Sequence, residues 1–175
     1  INSRNIIQMT AVIQQILNTG NRVIAPRTLT YGNASAELAR LEDRGAVVRI
    51  AYGYFFLVPE LYRKPNTLWR PTIEEAALGL AIHDYGVKNV ALVGPSVLRI
   101  LGQYPRPLNI AYVAIPKQRP TIKTPWGVIR FIKRDLTTFE LDYKQTENIA
   151  GYVTTREETF IDLLRKRPDW YISEG

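Results

Sequence analysis

ASAELARLEDRGAVVRIAYGYFFLV, residues 34–58, carries two patterns back to back. The first half places Ala34, Leu38 and Leu41 at helical spacing and ends on Gly45, so a helix is expected over about 34–44. Gly32 and Asn33 break the chain before it, and Asn33 is expected as its N-cap. The second half alternates. Val48 and Ile50 flank Arg49, Tyr52-Gly53 makes a tight turn, and Tyr54 to Val58 returns. That pattern reads as a β-hairpin, although its turn pair is not Asn-Gly.

Working outward, residues 5–19 (NIIQMTAVIQQILNT) put Ile6, Met9, Val12, Ile13 and Ile16 on one helical stripe stopped by Gly20. A short segment from Ala25 to near Tyr31 follows, with Pro26 suited to a first helical turn. Helix, short helix, helix and hairpin is the order of a winged helix-turn-helix, expected over 1–62. Residues 59–71 (PELYRKPNTLWRP) hold three prolines with Arg63, Lys64 and Arg70, and 63–71 is expected as a linker or strap. Its neighbours Tyr62 and Trp69 imply packing, not free coil.

The remainder, 72–175, is expected as a mixed α+β domain, so the fold class of the whole chain is α+β. Thr72 is expected to cap a helix from Ile73 to about Tyr85, with Glu74 and Glu75 in the first turn where the dipole favours them. VALV (90–93) is a short strand or the start of a helix, and Gly94-Pro95-Ser96 leads into a short helix ending at Gly102. Residues 108–115 alternate as a strand, and a strand pair flanks Pro125-Trp126-Gly127. Glu157 to Arg167 reads as a helix with Phe160, Ile161 and Leu164 on one face.

The chain has 175 residues, 46% of them hydrophobic, enough to bury a core. Its 23 Lys and Arg against 16 Asp and Glu leave a net charge of +7, which makes a polyanion a candidate partner. Cysteine is absent, which excludes disulfides, thiolate catalysis and every Cys-containing zinc or iron–sulfur site. His83 is the one histidine; two-His metal motifs are excluded and only one imidazole could act as a base. No metal, cofactor or enzymatic activity is expected. No apolar run approaches the roughly 18 residues of a membrane span and no secretory leader pattern is present, so the expected location is the cytoplasm, away from any membrane.

Charge matters in two places. In a helix-turn-helix the second helix enters the major groove while other elements hold phosphates. The outward side of the 34–44 helix carries Ser35, Ala36, Ala39, Arg40 and Asp43, and small residues at 36 and 39 let it seat deeply. Asn33, Ser35 and Arg40 are the candidates for base edges or phosphates, Arg27 for a phosphate, and Arg49 and Tyr52 for wing contacts. Against this, Glu37, Glu42 and Asp43 lie on the same helix, and residues 1–62 hold six basic and four acidic side chains, a net of only +2. A winged helix used for protein contact is the bland alternative. The second place is 117–134, KQRPTIKTPWGVIRFIKR, with six basic residues and no acid. Lys117, Arg119, Lys123, Arg130, Lys133 and Arg134 would form a basic plate for DNA or an acidic partner, or simply a solvated sheet face.

Catalytic patterns are weak. Ser96 fails the nucleophile-elbow spacing, because Leu98 stands where glycine is needed. Asp142-x-Lys144, with Asp135 or Glu140 as a second carboxylate, matches the tail of a metal-dependent nuclease pattern, but an alternating strand explains it as well. His83-Asp84 near a helix end needs no more than the helix dipole. No glycine-rich phosphate loop is present.

Three stretches carry a resemblance. SAELARLEDRGAVVRIAYGYFFLVP (35–59), VALVGPSVLRILGQ (90–103) and, more weakly, TREETFIDLL (155–164) resemble the AbiEi-type antitoxins of abortive-infection, type IV toxin–antitoxin systems. The resemblance implies an N-terminal winged helix that represses its own operon at promoter inverted repeats, with DNA contacts at Asn33, Ser35, Arg40, Arg49 and Tyr52. It also implies a C-terminal domain that counters a nucleotidyltransferase toxin without requiring a stable toxin complex. Ser96 would then be a structural N-cap. Two copies on DNA are expected. The competing class is a stand-alone regulator with an effector pocket lined by Trp126, Tyr112 and Phe131; a nuclease is the enzyme alternative.

Overall fold

The computed structural model describes residues 3–30, 32–103 and 109–165. The expected segment end at Tyr31, strand start at Leu108 and helix end at Arg167 lie outside these. The chain is α+β and divides into two compact units, Ile1–Thr72 and Ile73–Gly175. Among the described residues no helix is long and apolar enough to cross a membrane.

The first unit runs α1 (Ser3–Asn18), β1 (Val23–Ile24), a 3₁₀ turn (Pro26–Thr28), α2 (Ala34–Asp43), β2 (Val47–Ala51) and β3 (Tyr54–Leu57). Three strands pair antiparallel in the order β1-β3-β2. The two-residue β1 is too short for alternation to reveal, and it turns the expected hairpin into a sheet. The short helix expected after Ala25 shrinks to one 3₁₀ turn. The α1 stripe is buried at Val12 and Ile16 and half-buried at Met9 and Ile13, while Ile6, one turn nearer the N-terminus, is exposed. Val12 and Ile16 pack with Ile24, Leu29, Leu38, Leu41, Val47, Phe55 and Leu57.

The exit of α2 is set by Gly45. At φ +72 its N–H reaches the Glu42 carbonyl at 2.9 Å, and the next N–H, of Ala46, reaches Leu41 at 2.9 Å. This paired closure satisfies the last carbonyls of α2 and turns the chain directly into β2. Asn33 does stand at the N-cap position, but its side chain makes no capping bond; at φ −137, ψ 49 it leaves the extended geometry that capping uses. Residues 63–71 fold back on this unit. Arg63 donates from Nε to the Val58 carbonyl at 2.8 Å, and the Trp69 ring lies 5.9 Å from Phe56 and 6.4 Å from Tyr62.

The second unit contains α3 (Ile73–Tyr85), β4 (Ala91–Leu92), α4 (Pro95–Ile100), β5 (Ile110–Ile115), β6 (Ile122–Thr124), β7 (Gly127–Lys133), β8 (Leu141–Gln145), β9 (Ala150–Thr154) and α5 (Arg156–Leu164). Its six-stranded sheet has the order β6-β7-β5-β4-β9-β8, with β5 parallel to β7, β4 parallel to β9 and the other pairs antiparallel. Helix α3 covers one face. A Cβ at Gly151 would meet Leu78 Cδ2 at 2.9 Å, and one at Gly127 would meet Ile73 Cδ1 at 3.3 Å. The other face carries the cluster of Val93, Tyr112, Ala114 and Ile132, with Ile110 and Leu136 against it.

Glu74 and Glu75 stand in the first turn of α3 as expected, and both are buried, as is every residue from Ile73 to Ala81. Each has partners. Arg99 Nε of α4 lies 3.1 Å from Glu74 Oε1, while Glu75 accepts from Thr146 Oγ1 at 3.0 Å and Asn148 N at 2.8 Å. Burial raises the Glu74 carboxyl above its ordinary value, and Arg99 works in the opposite direction. Ser96 is not a cap: Gly94 holds the N-cap position of α4, and Ser96 Oγ accepts the Tyr112 N–H at 2.8 Å from within the helix. On α5, Thr155 accepts the Glu158 N–H at 3.2 Å as a true cap. Phe160, Ile161 and Leu164 do share a face, but it is exposed; α5 buries Thr159 and Asp162 instead.

Gly45→Ala is expected to destabilise the first unit by about 2 kcal/mol or more, because a Cβ there runs into the Lys64 backbone carbonyl and the positive φ adds strain. Gly53→Ala, at φ +78 with open space around it, is expected to cost only about 1 kcal/mol. Urea unfolding of both variants checks the difference. Arg99→Ala is expected to cost about 3 kcal/mol at pH 7, where it strands a buried carboxylate. The sign with pH follows from the raised Glu74 carboxyl. Protonated Glu74 needs no cation, so the loss shrinks as pH falls through its folded-state value, and melts at pH 4 and 7 read this directly.

Candidate nucleic-acid interface

Helix α2 has one side in the core and one side in water. Ala34, Glu37, Leu38 and Leu41 are buried, whereas Asn33, Ser35, Ala39, Arg40, Asp43 and Arg44 are exposed and Ala36 is half-buried. The expected outward face is therefore outward, with one change. Glu37 belongs to the buried side, where its carboxylate pairs with Arg40 three residues on.

The hairpin is tied to α2 by charge. Arg49 Nε on β2 lies 3.7 Å from Glu42 Oε2 on the last turns of α2, and the Arg49 guanidinium sits 5.0 Å from the centre of the Phe55 ring. The turn leaves Tyr52 94% exposed at its tip, a position with no packing role in the unit. Arg27, on the 3₁₀ turn, donates to Tyr54 Oη at 3.1 Å and stacks over that ring at 5.2 Å. Arg27 is thus steered by β3. Arg40, Arg49 and Arg27 are each placed by a partner on α2 or the hairpin, while Asn33, Ser35 and Tyr52 are placed by backbone alone.

The acids that counted against a polyanion surface are largely engaged. Glu37 pairs with Arg40, and Glu42 faces Arg49, so the carboxylates orient cations as well as diluting them. Sequence reasoning passed over Arg44. It is exposed at the C-cap of α2, directly before the turn into β2, and its adjacency to Gly45 is the signal that marks it as a helix-end cation beside the hairpin.

The second group of cations does not form one plate. Register sets the faces: Lys123 opposes Val128 and Tyr112 opposes Arg130, so Lys123 and Arg130 share the face opposite α3. Lys133 has the opposite parity on β7 and lies at the strand end. Arg119 is drawn inward, 2.6 Å from Asp84 Oδ2 and 4.9 Å from the Phe131 ring centre. Lys117 is exposed in the loop after β5, and Arg134 is half-buried after β7. The six cations are therefore split between two faces, an edge and a half-buried ion pair.

The catalytic alternatives gain little from geometry. Asp142 and Lys144 share a face of β8, and among the described residues no three His, Asp or Glu side chains are grouped to hold a metal ion. His83 Nδ1 sits 2.8 Å from Asp84 Oδ1, so the one imidazole belongs to the Asp84–Arg119 cluster. Tyr112 and Phe131 cannot line a common pocket, because Phe131 pairs with Val113 and so faces the opposite side of the sheet from Tyr112.

The sequence matches no protein-family model and no curated protein.

Proposed function

We propose that the chain is a DNA-binding antitoxin and transcriptional autorepressor, whose first unit is a winged helix-turn-helix with a middle helix reduced to a single 3₁₀ turn. The observation that carries the DNA half is the exposed side of α2. It combines small residues at 36 and 39 with Asn33, Ser35 and Arg40, and the Arg49–Glu42 contact holds a hairpin with an exposed Tyr52 alongside. Such a helix fits a major groove, and such a hairpin reaches backbone or minor groove beside it. The antitoxin half rests on the likeness of residues 35–59, 90–103 and 155–164 to AbiEi-type antitoxins. In this reading the partner of the operon is a nucleotidyltransferase toxin, and the chain itself performs no catalysis.

Gel retardation with the DNA upstream of the chain's own gene tests the first half. Retardation is expected at about 50 mM salt, with log affinity falling linearly in log salt. Arg40→Ala with Arg49→Ala is expected to lower the steepness of that line by about two and to leave the melting temperature within a few degrees. No retardation at low salt, or an unchanged slope, refutes the assignment. For the second half, co-expression with the nucleotidyltransferase encoded beside it is expected to restore growth, and rescue should survive Arg40→Ala with Arg49→Ala. Growth arrest undiminished by the chain removes the antitoxin role.

A further inference from the structure

The loop between β7 and β8 crosses the face of the sheet opposite α3, placing Leu136 in the Val93, Tyr112, Ala114 and Ile132 cluster. Beside that crossing lies a cavity of about 420 Å³. Its walls come from chain ends: Lys88 and Asn89 before β4, Pro116 after β5, and Lys133 and Arg134 where β7 finishes. Parallel strands β5 and β7 both deliver their carboxyl ends to it, the place where open sheets with parallel strands commonly hold ligands. The crossing supplies Asp135, Leu136 and Thr137, and Leu141 opens β8.

Three cations and one carboxylate give these walls a net charge of +2. The carboxylate is already committed. Asp135 Oδ1 accepts from Thr137 N at 3.1 Å and Thr137 Oγ1 at 2.6 Å, bonds that hold its carboxyl below the usual range and keep it ionised. Asn89 is occupied too, donating from Nδ2 to the Tyr85 carbonyl at 2.7 Å. Arg134 is braced by its own backbone, with its N–H on the Ile115 carbonyl at 3.1 Å and its guanidinium on the Lys133 carbonyl at 3.1 Å. The net charge facing the cavity is therefore positive, and the rest of the wall includes the apolar Pro116, Leu136 and Leu141.

We propose that this cavity binds a small phosphate monoester, its phosphate held by Lys88, Lys133 and Arg134 and its organic part against Leu136 and Leu141. The charge decides the class. A monoester near pH 7 carries close to −2 and balances the walls, whereas a carboxylate or a nucleic-acid phosphodiester carries −1. The size agrees, since small-molecule sites fall in the range of about 300–1,000 Å³ and a bare phosphate fills little of that. The site lies wholly within the second unit and does not depend on the DNA contacts assigned to the first. It gives that unit an effector for which the aromatic trio of Trp126, Tyr112 and Phe131 offers no room.

Calorimetric titration of the full chain at low salt with adenosine 5′-monophosphate, its methyl phosphodiester and inorganic phosphate tests the site. The monoester is expected to bind about tenfold more tightly than the diester, and more tightly than inorganic phosphate. Lys88→Glu with Lys133→Glu is expected to weaken the monoester at least about tenfold. Lys117→Glu with Lys123→Glu, the same charge change outside the cavity, is expected to leave binding intact. Should the first pair unfold the chain, Lys88→Gln alone is read by the same criterion, with an expected loss of a few-fold. No monoester binding, equal affinity for monoester and diester, equal affinity for inorganic phosphate, or equal loss in the Lys117 and Lys123 control each overturns the proposal. DNA retardation by the unaltered chain, measured alongside, keeps this outcome separate from the fate of the DNA reading.

Discussion

The turn at Gly45 is the constraint on which the geometry of the first unit depends. Leu38 and Leu41 anchor α2 in the core, and the double closure onto Leu41 and Glu42 ends the helix at Asp43, directly before its C-cap Arg44. Strand β2 therefore starts at Val47, close enough for Arg49 to face Glu42. The same turn needs a residue without a Cβ, because the Lys64 backbone passes directly over it. One glycine thus sets where the helix stops, where the hairpin begins and how residues 63–71 return over the unit. A longer loop would leave α2 and the hairpin to be aligned by side chains alone, with more freedom lost on ordering them.

Four arginines of this chain are positioned by acids. Arg40 has Glu37, Arg49 has Glu42, Arg99 has Glu74 and Arg119 has Asp84. The pairs differ in what they do. Arg99 and Arg119 lie at inner positions, where an ionised partner offsets the cost of burial, and their removal would leave carboxylates stranded. Arg40 and Arg49 have about half of their side-chain surface in water, where an ion pair contributes little to stability. Their pairing restricts rotamers without consuming the outward N–H groups, which lowers the entropy lost when a phosphate or base edge is met. The net +7 of the whole chain says nothing of this division.

How far the fold could be read in advance depends on segment length and on who the neighbours are. Helices α1, α2 and α3 and strands β5 and β7 are long enough for periodicity to mark them. Strand β1 has two residues, and β9 begins after the Thr146–Ile149 turn in a run, AGYVT, with a glycine at its second position. A side chain at that position would run into Leu78 and Ile82 of α3. The first-turn position of Glu74 and Glu75 was legible but their burial was not, because their partners, Arg99 and Asn148, stand 25 and 73 positions away. On α5 the apolar face and the buried face differ, because Thr154 and Thr159 meet at 2.7 Å and draw the polar side inward. The outward face of α2 was legible because its inward face was; the scatter of the second cation group was not, since strand register decides it.

The two candidate sites present their cations in opposite ways, and this bears on how the two proposed roles could coexist in one basic chain. On α2 and the hairpin the cations are spread, and Arg40 and Arg49 each face a carboxylate of their own unit. A surface of this kind suits a line of singly charged phosphodiesters, each met by one group, with orientation supplied by Asn33, Ser35 and Tyr52. Around the cavity, Lys88, Lys133 and Arg134 all line the walls, and the single carboxylate among them has one oxygen turned to Thr137. Concentrated charge of that kind suits one doubly charged group and is satisfied less well by a chain of single charges, because neighbouring diesters along a strand cannot all reach one pocket. On the proposed assignments the discrimination would follow from arrangement, not from the total number of lysines and arginines, and would let a small phosphate ester be sensed in the presence of duplex DNA.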